Sequence, residues 1–382
     1  MIRHTALLMC CMLAVCACGG SDGYDIVSLP DNSNEAAADT RYRVGFRIIL
    51  GDNSPDRSAA TRSTPADGPY DDGRGTPYEN YIDISNYRVL FFDSSNNTYI
   101  TAFTPEILMP LEEDFTTSKT YQAVGSINRR LPQTVKVVML ANWPQYPDNL
   151  VEGQTTIDDI CTDAASQYTY NVPFELSADS PIPLFGVKQC DGIVMKNDEL
   201  TFLGTFHLLR AMAKIEVSCA TEGWKPEEIT LNGYATRGFC APQGVYDEAD
   251  YVKGSYHADY TDAVHTSPVW AAPAMSAAFR QLADGRFVIY VPEYRNIADA
   301  NTTMQPATIS VRFERPVDRI YTIRFQYYTN PPEGKAVGDA FDIMRNYYYK
   351  FSIDKTDEQS DPEITIDLFP YEVIDLDPVF GC

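Results

Sequence analysis

The stretch "RYRVGFRIIL", residues 41–50, is the first in the sequence with the alternation of a β-strand. Apolar side chains at every second position indicate one face turned to a core, and arginines lie on the other face. The apolar face consists of Tyr42, Val44, Phe46, Ile48 and Leu50. Similar stretches follow about every 10–15 residues with few amphipathic helices between them, which predicts an all-β chain of β-sandwich domains with few short helices.

The segment after this strand has neither a strand nor a helix pattern. It reads "GDNSPDRSAATRSTPADGPYDDGRGTP", residues 51–77, and is rich in Gly, Pro, Ser, Asp and Thr around Arg57, Arg62 and Arg74. Such a long irregular segment inside a compact domain is unusual and indicates either function or disorder. It separates one strand from all those that follow.

The N-terminus has the pattern of an export signal. A single early arginine precedes an apolar run over residues 6–17, and the composition then changes to Gly, Ser and Asp. The run is too short to span a bilayer, which needs about 20 apolar residues, so residues 1–17 are predicted to be a signal peptide.

Cys18 is the predicted site of lipid attachment, for an acyl chain such as palmitate. Within "LAVCACGGSD", residues 13–22, Ala17 and Val15 precede it as the small residues of a lipoprotein cleavage site. Cys16 would place the bulkier Val15 next to the cut. The alternative interpretation is an ordinary cleaved signal peptide that happens to contain cysteines. With the lipid, the mature chain is anchored to the membrane at its N-terminus.

Composition limits the classes of partner. The chain has 382 residues and a formal net charge of −23 at pH 7, so nucleic acid, itself an anion, is excluded as a partner. No pair of later cysteines has the C-x-x-C spacing of a zinc site, and the odd count leaves the disulfide state open. These cysteines are Cys161, Cys190, Cys219, Cys240 and Cys382.

Signatures of catalysis are missing from the sequence. There is no G-x-S-x-G, H-E-x-x-H or G-x-x-x-x-G-K-[ST]. His207 lies in a strand pattern, and His257 and His265 lie in a Tyr- and Asp-rich loop, where a solvated loop is favoured over a metal site. Acidic pairs of the kind glycosidases use are Glu112/Glu113 and Asp375/Asp377, and such pairs are expected by chance in an acidic chain. We therefore expect a non-enzymatic protein without metal or cofactor.

Four stretches resemble the fimbrillin family, the subunits of type V pili. "LLRAMAKIEV" (208–217) is similar to the L-x-R-x-x-A-K-I-x-V strand early in that family's second domain, and "VKVVMLANWP" (135–144) to a first-domain strand ending in Ala-Asn. "FDIMRNYYYKFSID" (341–354) resembles a late strand, and "VLFFD" (89–93) an early one. All four occur in family order. The resemblance implies two tandem transthyretin-like β-sandwich domains.

The expected organisation has four parts. Residues 1–17 form the signal peptide, residues 18–62 a tether plus a removable first strand, residues 63–205 the N-terminal sandwich and residues 206–382 the C-terminal one. Residues 202–219, "FLGTFHLLRAMAKIEVSC", are interpreted as one long strand near this boundary.

The resemblance also implies how the first strand is used. Fimbrillins are cut by an Arg-specific protease in the loop after it, which here favours Arg62 first and Arg57 second. Removing the strand opens an apolar groove that a strand of a neighbouring subunit fills. The alternative is a plain first strand that is never processed.

The expected donor strand is the C-terminal segment, residues 363–381. The alternative is a terminal strand that pairs within its own domain, and Pro370 and Pro378 are unusual in a donor because proline cannot donate to a ladder. Groove-filling side chains would be Ile364, Ile366, Leu368, Val373, Ile374 and Leu376.

The expected function is a structural and adhesive subunit of a fimbrium at the outer membrane and cell surface. Its partners would be other pilus subunits, as a homo- or hetero-polymer, and a host or bacterial surface ligand. The alternative is a monomeric, surface-anchored carbohydrate-binding lipoprotein. In that case Trp or Tyr rings would stack on sugars, although Trp143, Trp224 and Trp270 are few.

Overall fold

Strand patterns dominate the sequence, and the computed structural model is 57% strand and 4% helix, which confirms the mainly β fold. Thr40–Cys382 form one compact unit, and every contact described below lies within it. The structure describes residues 41–50, 77–111, 118, 120–169, 174–197, 199–219, 225–242, 271–294, 296, 306–314, 320–328, 336–340, 342–343, 345–354 and 363–370.

The N-terminal half is built around one sheet of eight strands. The elements of this half are β1 (Tyr42–Leu50), β2 (Tyr87–Asp93), β3 (Tyr99–Ala102), β4 (Thr104–Pro110), β5 (Thr120–Ile127), β6 (Val135–Ala141), α1 (Ile157–Thr162), a 3₁₀ turn (Ala164–Ser166), β7 (Gln167–Thr169), β8 (Leu184–Cys190) and β9 (Leu200–Arg210). Eight of the strands are hydrogen-bonded in the order β3-β2-β6-β8-β9-β1-β5-β4. β1 therefore lies inside the sheet and not at its edge.

α1 begins at a capping box. Thr156 caps its N-terminus by accepting from the backbone N–H of Asp159, whose carboxylate in turn accepts from the N–H of Thr156. Ile157 and Ile160 are buried, so one face of the helix packs on the sheet. No helix in the described part of the chain has the length and apolar character that crossing a membrane requires.

The C-terminal half has two main sheets. Its strands are β10 (Ala213–Cys219), β11 (Pro226–Ala235), β12 (Arg237–Phe239), β13 (Ala271–Ala278), β14 (Arg280–Gln281), β15 (Phe287–Val291), β16 (Thr308–Phe313), β17 (Ile320–Arg324), β18 (Gln326–Tyr328), β19 (Ala336–Ala340), β20 (Tyr347–Asp354) and β21 (Glu363–Pro370). One sheet has the order β14-β15-β10-β20-β21 and the other the order β13-β11-β16-β17. β21 is the last strand of the first sheet.

The expected single strand over residues 202–219 is two strands. β9 ends at Arg210 and pairs with β1 and β8, whereas β10 begins at Ala213 and pairs with β15 and β20. The sheet of the N-terminal half thus continues to Arg210, past the expected boundary at residue 205. The apolar periodicity of the sequence does not reveal the break between β9 and β10, because the residues on both sides of it are apolar.

Two clusters of buried side chains fill the chain. One lies wholly in the N-terminal half and includes Val44, Phe46, Ile48 and Leu50 of β1. The other extends from Leu90 of β2 through both halves to Ile353 of β20 and includes Trp143. β7 and β12 also pair with each other across the halves. The two halves are therefore joined by shared apolar packing and by strand pairing.

Candidate functional site: the first strand and its slot

β1 lies between two strands that run in opposite directions. It pairs antiparallel with β5 from Tyr42, opposite Ile127, to Ile49, opposite Thr120. It pairs parallel with β9, up to Leu50 opposite Leu208. We call the space that β1 occupies between β5 and β9 the β1 slot, and the two neighbouring strands its walls. Every strand able to fill this slot must satisfy both ladders.

The inward face of β1 is fully buried from Val44 onward, and Tyr42 at its start is partly buried. Val44, Phe46, Ile48 and Leu50 are each 0% exposed, so the alternation expected from the sequence is present. The ring of Phe46 lies 5.4 Å from that of Phe103 between centroids. Full burial of one such side chain contributes about 1.5–3 kcal/mol. Burial of these four side chains is therefore the main contribution to the free energy that keeps β1 in its slot.

An ion pair on the outward face of β1 contributes much less to the free energy that holds the strand. Arg43 approaches Glu106 at 3.9 Å, and their side chains are 37% and 41% exposed. Exposed ion pairs of this kind contribute about 0–1 kcal/mol. The ion pair of Arg43 therefore adds little to the binding of β1 in its slot.

Gly45 is the narrow point of the slot. A Cβ atom there would lie 3.3 Å from the carbonyl oxygen of Ala123 on β5 and 3.4 Å from Cδ1 of Leu200 on β9. The parallel register also shifts between Gly45 and Arg47. A side chain at position 45 of β1 therefore requires these neighbours to shift by a few tenths of an ångström.

Several predicted site residues lie outside the described part of the chain. These are Cys18, Arg57, Arg62, Val373, Ile374 and Leu376, together with His257, His265 and Cys382. Their roles stay predictions.

The first part of the expected donor segment is paired in its own half. β21 runs antiparallel to β20, with Ile364 opposite Ile353, Ile366 opposite Phe351 and Leu368 opposite Tyr349. Pro370 is the last residue of β21. Pro370 thus lies on an edge strand, where its missing N–H is tolerated.

None of the four later cysteines that the structure describes forms a disulfide. Cys161, Cys190 and Cys240 are buried, and Cys219 is partly buried. Burial raises the pKa of the Cys190 thiol to about 11 and that of Cys240 further. In the described residues, no group of three His, Cys, Asp or Glu side chains is placed to hold a metal ion.

The tryptophan proposed to stack on sugars is part of the core. Trp143 is 1% exposed, and its Nε1–H donates to the carbonyl of Leu184 at 2.9 Å. Its ring stacks on Tyr146 at an angle of 10°. Trp224 and Trp270 lie outside the described residues.

A short segment next to the slot carries buried polar groups that the sequence did not reveal. We call residues 78–83 the strap. Glu79 and Asn80 in it are each 1% exposed. Glu79 accepts a 3.1 Å contact from Nζ of Lys214 and a hydrogen bond of the same length from the hydroxyl of Tyr290. No periodic pattern marks these residues, because their partners lie far away in the sequence.

The strap is also fixed by Asn142. Its side-chain amide donates to the carbonyl of Tyr81 at 2.7 Å, and its Oδ1 accepts from the backbone N–H of Asp83 at 2.9 Å. Asn142 has φ +60°, in the left-handed region that asparagine tolerates better than most residues. The Ala-Asn ending of β6 therefore positions the strap.

Comparison with known proteins bears on the fold. No family model and no curated protein matches the chain. Among solved structures, the chain is similar to the tip fimbrial protein Mfa3 from Porphyromonas gingivalis, solved with a C-terminal truncation. The TM-score is 0.52 at 10% identity, over 86% of this chain and 99% of that one.

Two further structures are similar at lower scores. A candidate cell adhesion protein from Parabacteroides distasonis has a TM-score of 0.47 at 13% identity, over 86% of this chain and 96% of that one. Another from Bacteroides uniformis has a TM-score of 0.41 at 9% identity, over 88% and 100%. The likeness to Mfa3 confirms the fold implied by the fimbrillin resemblance: this chain has the fold of a tip fimbrial protein.

Proposed function

We propose that this protein is a structural and adhesive subunit of a cell-surface fimbrium that assembles by exchange of its first strand. The observation that carries the proposal is the position of β1. This strand comes first in the described chain and lies inside the sheet, with Val44, Phe46, Ile48 and Leu50 fully buried. It is followed by segment 51–76, whose sequence has neither a strand nor a helix pattern. A cut in that segment separates β1 from the rest of the chain without breaking any described strand.

The energetics explain why such a cut leads to assembly. Losing β1 exposes the backbone groups of both walls and leaves four apolar pockets empty, at a cost of roughly 6–12 kcal/mol for the side chains alone. A strand from another subunit with the same alternation restores both ladders and fills the pockets. The empty slot is therefore a strong and specific acceptor for an extended peptide.

Export and location follow from the same proposal. Lipid on Cys18 anchors the precursor at the outer membrane, and cleavage after Arg62 or Arg57 releases the anchor together with β1. The partners are other pilus subunits and a surface ligand. The protein has no catalytic role in this account.

The donor comes from the C-terminal segment. As the terminal strand of its sheet, β21 pairs with β20, so freeing Ile364, Ile366 and Leu368 breaks that one ladder. The apolar residues that follow, Val373, Ile374 and Leu376, complete the donor in this proposal.

A carbohydrate-binding lipoprotein remains the alternative function. The burial of Trp143 removes one of the three tryptophans whose rings such a site would use. The alternative therefore rests on partly buried tyrosines or on residues outside the described part of the chain.

Limited proteolysis tests the proposal. The purified mature protein is treated with a low dose of trypsin, its new N-terminus is determined by mass spectrometry, and its size is followed by gel filtration. We expect a cut at Arg62 or Arg57, a stable remainder and a ladder of multimers. The matched control replaces Arg57, Arg62 and Arg74 with Gln and should stay intact and monomeric. A cut protein that remains monomeric and binds glycans would support the alternative instead.

A further inference from the structure

One wall of the β1 slot is bonded to the strap through the hydroxyl group of Tyr121. Tyr121 of β5 lies opposite Ile48 of β1 and is 0% exposed. Its hydroxyl donates to the carbonyl oxygen of Asn80 at 2.9 Å and accepts from the backbone N–H of Ile82 at 3.3 Å. Both hydrogen bonds are buried. β5 is thus fixed to the strap near the end of β1 that leads into segment 51–76.

The other wall is bonded to the same residue of the strap. Arg210 is the last residue of β9, two positions beyond Leu208, which lies opposite Leu50. Its guanidinium donates to Oδ1 of Asn80, and its Nε–H donates to the carbonyl of Glu79 at 3.4 Å. Asn80 therefore joins the two walls, β5 through its main chain and β9 through its side chain.

The strap also contacts strands of the C-terminal half. The carboxylate of Glu79 contacts Lys214 of β10 and Tyr290 of β15. The ammonium group of Lys214 also lies 4.6 Å from the ring centroid of Tyr348 on β20. Arg210 is bonded to the same region, because its Nη1 donates to Oδ1 of Asn346 at 3.1 Å. None of these contacts is made by β1, so the loss of β1 does not itself break them.

Once β1 has left, its two neighbouring strands could pair with each other and close the slot. β5 runs antiparallel to β1 and β9 runs parallel to it, so β5 and β9 are antiparallel to each other. Two bare antiparallel edges pair with each other readily. The walls stand roughly 10 Å apart, two inter-strand spacings of about 4.8 Å, and a direct pairing would close the slot to any new strand.

From this geometry we infer that the strap keeps the two walls apart after β1 has left, so that the slot stays open for an incoming strand. Asn80, Tyr121 and Arg210 are positioning residues for strand uptake. The inference rests on the proposed exchange of β1 and adds to it the part of the molecule that preserves the acceptor.

The test uses the full mature chain cut once in segment 51–76. A fluorescent peptide with the sequence of residues 41–50 is added in excess, and its uptake in place of β1 is followed by anisotropy. The main variant is Tyr121→Phe, which keeps the ring and removes only the hydroxyl. Asn80→Ala tests the bond to the other wall. The matched control is Tyr87→Phe, because Tyr87 belongs to the same apolar cluster and its buried hydroxyl has no partner among the described residues.

We expect the cut Tyr121→Phe and Asn80→Ala proteins to take up the peptide about tenfold more slowly than the cut wild type, since a buried bond to the strap is lost. Tyr87→Phe should match the wild type. Equal uptake by Tyr121→Phe and the wild type would overturn the role of the strap alone, whatever happens to the stability of the uncut protein. No uptake by any of the proteins, wild type included, would overturn the exchange of β1 and the role of the strap with it.

Discussion

The ring of Phe46 on β1 meets the ring of Phe206 on β9 edge to face, with centroids 5.2 Å apart and planes at 60°. Phe46 is fully buried, and Phe206 is 1% exposed. The pair joins the first strand to a wall of its slot by an aromatic contact that is worth about 0.5–1.5 kcal/mol beyond area burial. Phe46 is therefore one of the side chains that anchor β1 in its slot.

Phe46→Ala should therefore destabilise the uncut protein strongly. Truncating a buried phenylalanine costs about 3–5 kcal/mol, from lost transfer energy and the remaining cavity. Urea unfolding followed by tryptophan fluorescence measures the change. The matched control is Ile84→Ala, since Ile84 is 54% exposed and should cost under about 0.5 kcal/mol. Similar losses for the two variants would contradict the central place of Phe46.

Gly45→Val in the labelled peptide of residues 41–50 should weaken its uptake by the cut protein. The added side chain meets Ala123 and Leu200, and overpacking of this kind costs about 1–3 kcal/mol, which corresponds to roughly 5- to 150-fold in affinity. Competition with the unlabelled wild-type peptide measures the change. Arg43→Ala serves as the control peptide and should bind within about fivefold of the original, because its ion pair is exposed. Undiminished binding of the valine peptide would show that the slot has no narrow point.

Glu79→Gln should cost about 3–5 kcal/mol in the free energy of unfolding, because it leaves the buried ammonium group of Lys214 without its charge partner. Chemical denaturation of the uncut protein measures this. Glu152→Gln is the control, since the pair of Glu152 with Arg129 is exposed and contributes about 0–1 kcal/mol. The double variant Glu79→Gln/Lys214→Met should recover part of the loss. A loss as small as that of Glu152→Gln would mean that the buried pair is not formed.

The Cys190 thiol should make stability depend on pH above pH 9. Burial raises its pKa from 9.0 to about 11, so the folded state holds the thiol proton where the unfolded state has released it. This contribution is fully present below pH 9 and is lost as the pH rises through 11, by roughly 2–3 kcal/mol. Comparing the unfolding of the wild type and Cys190→Ala between pH 8 and pH 11 isolates it from the titration of tyrosines. A constant difference between the two across this range would contradict the prediction.

The alternation of the first strand could be predicted from the sequence, because a half-buried strand has a period that single residues reveal. The break between β9 and β10 could not. Ala211 and Met212 between them are buried like their neighbours, so no polar turn residue marks the change of sheet.

The buried polar contacts of the strap could not be predicted from the sequence either. The sequence does not distinguish a buried glutamate from an exposed one. The structural role of Glu79 depends on Lys214 and Tyr290, which lie far away in the sequence. Likewise, the similarity of "LLRAMAKIEV" to a fimbrillin strand pointed to the fold without showing that Arg210 and Lys214 within it face the strap. Long-range polar contacts are the part of this protein that the sequence pattern does not encode locally.

An engineered, reducible disulfide between β1 and β5 is the most direct test of assembly by exchange of the first strand. Arg47 of β1 lies directly opposite Gln122 of β5, and both are only partly buried. Paired positions in an antiparallel ladder have Cα atoms about 4.5–5.5 Å apart, within the range of a disulfide. The variant Arg47→Cys/Gln122→Cys is cut in segment 51–76 and analysed by gel filtration, oxidised and after mild reduction. We predict that the oxidised protein stays monomeric and that the reduced protein forms multimers. Multimers of equal size in both states, or none in either, would contradict assembly by exchange of the first strand.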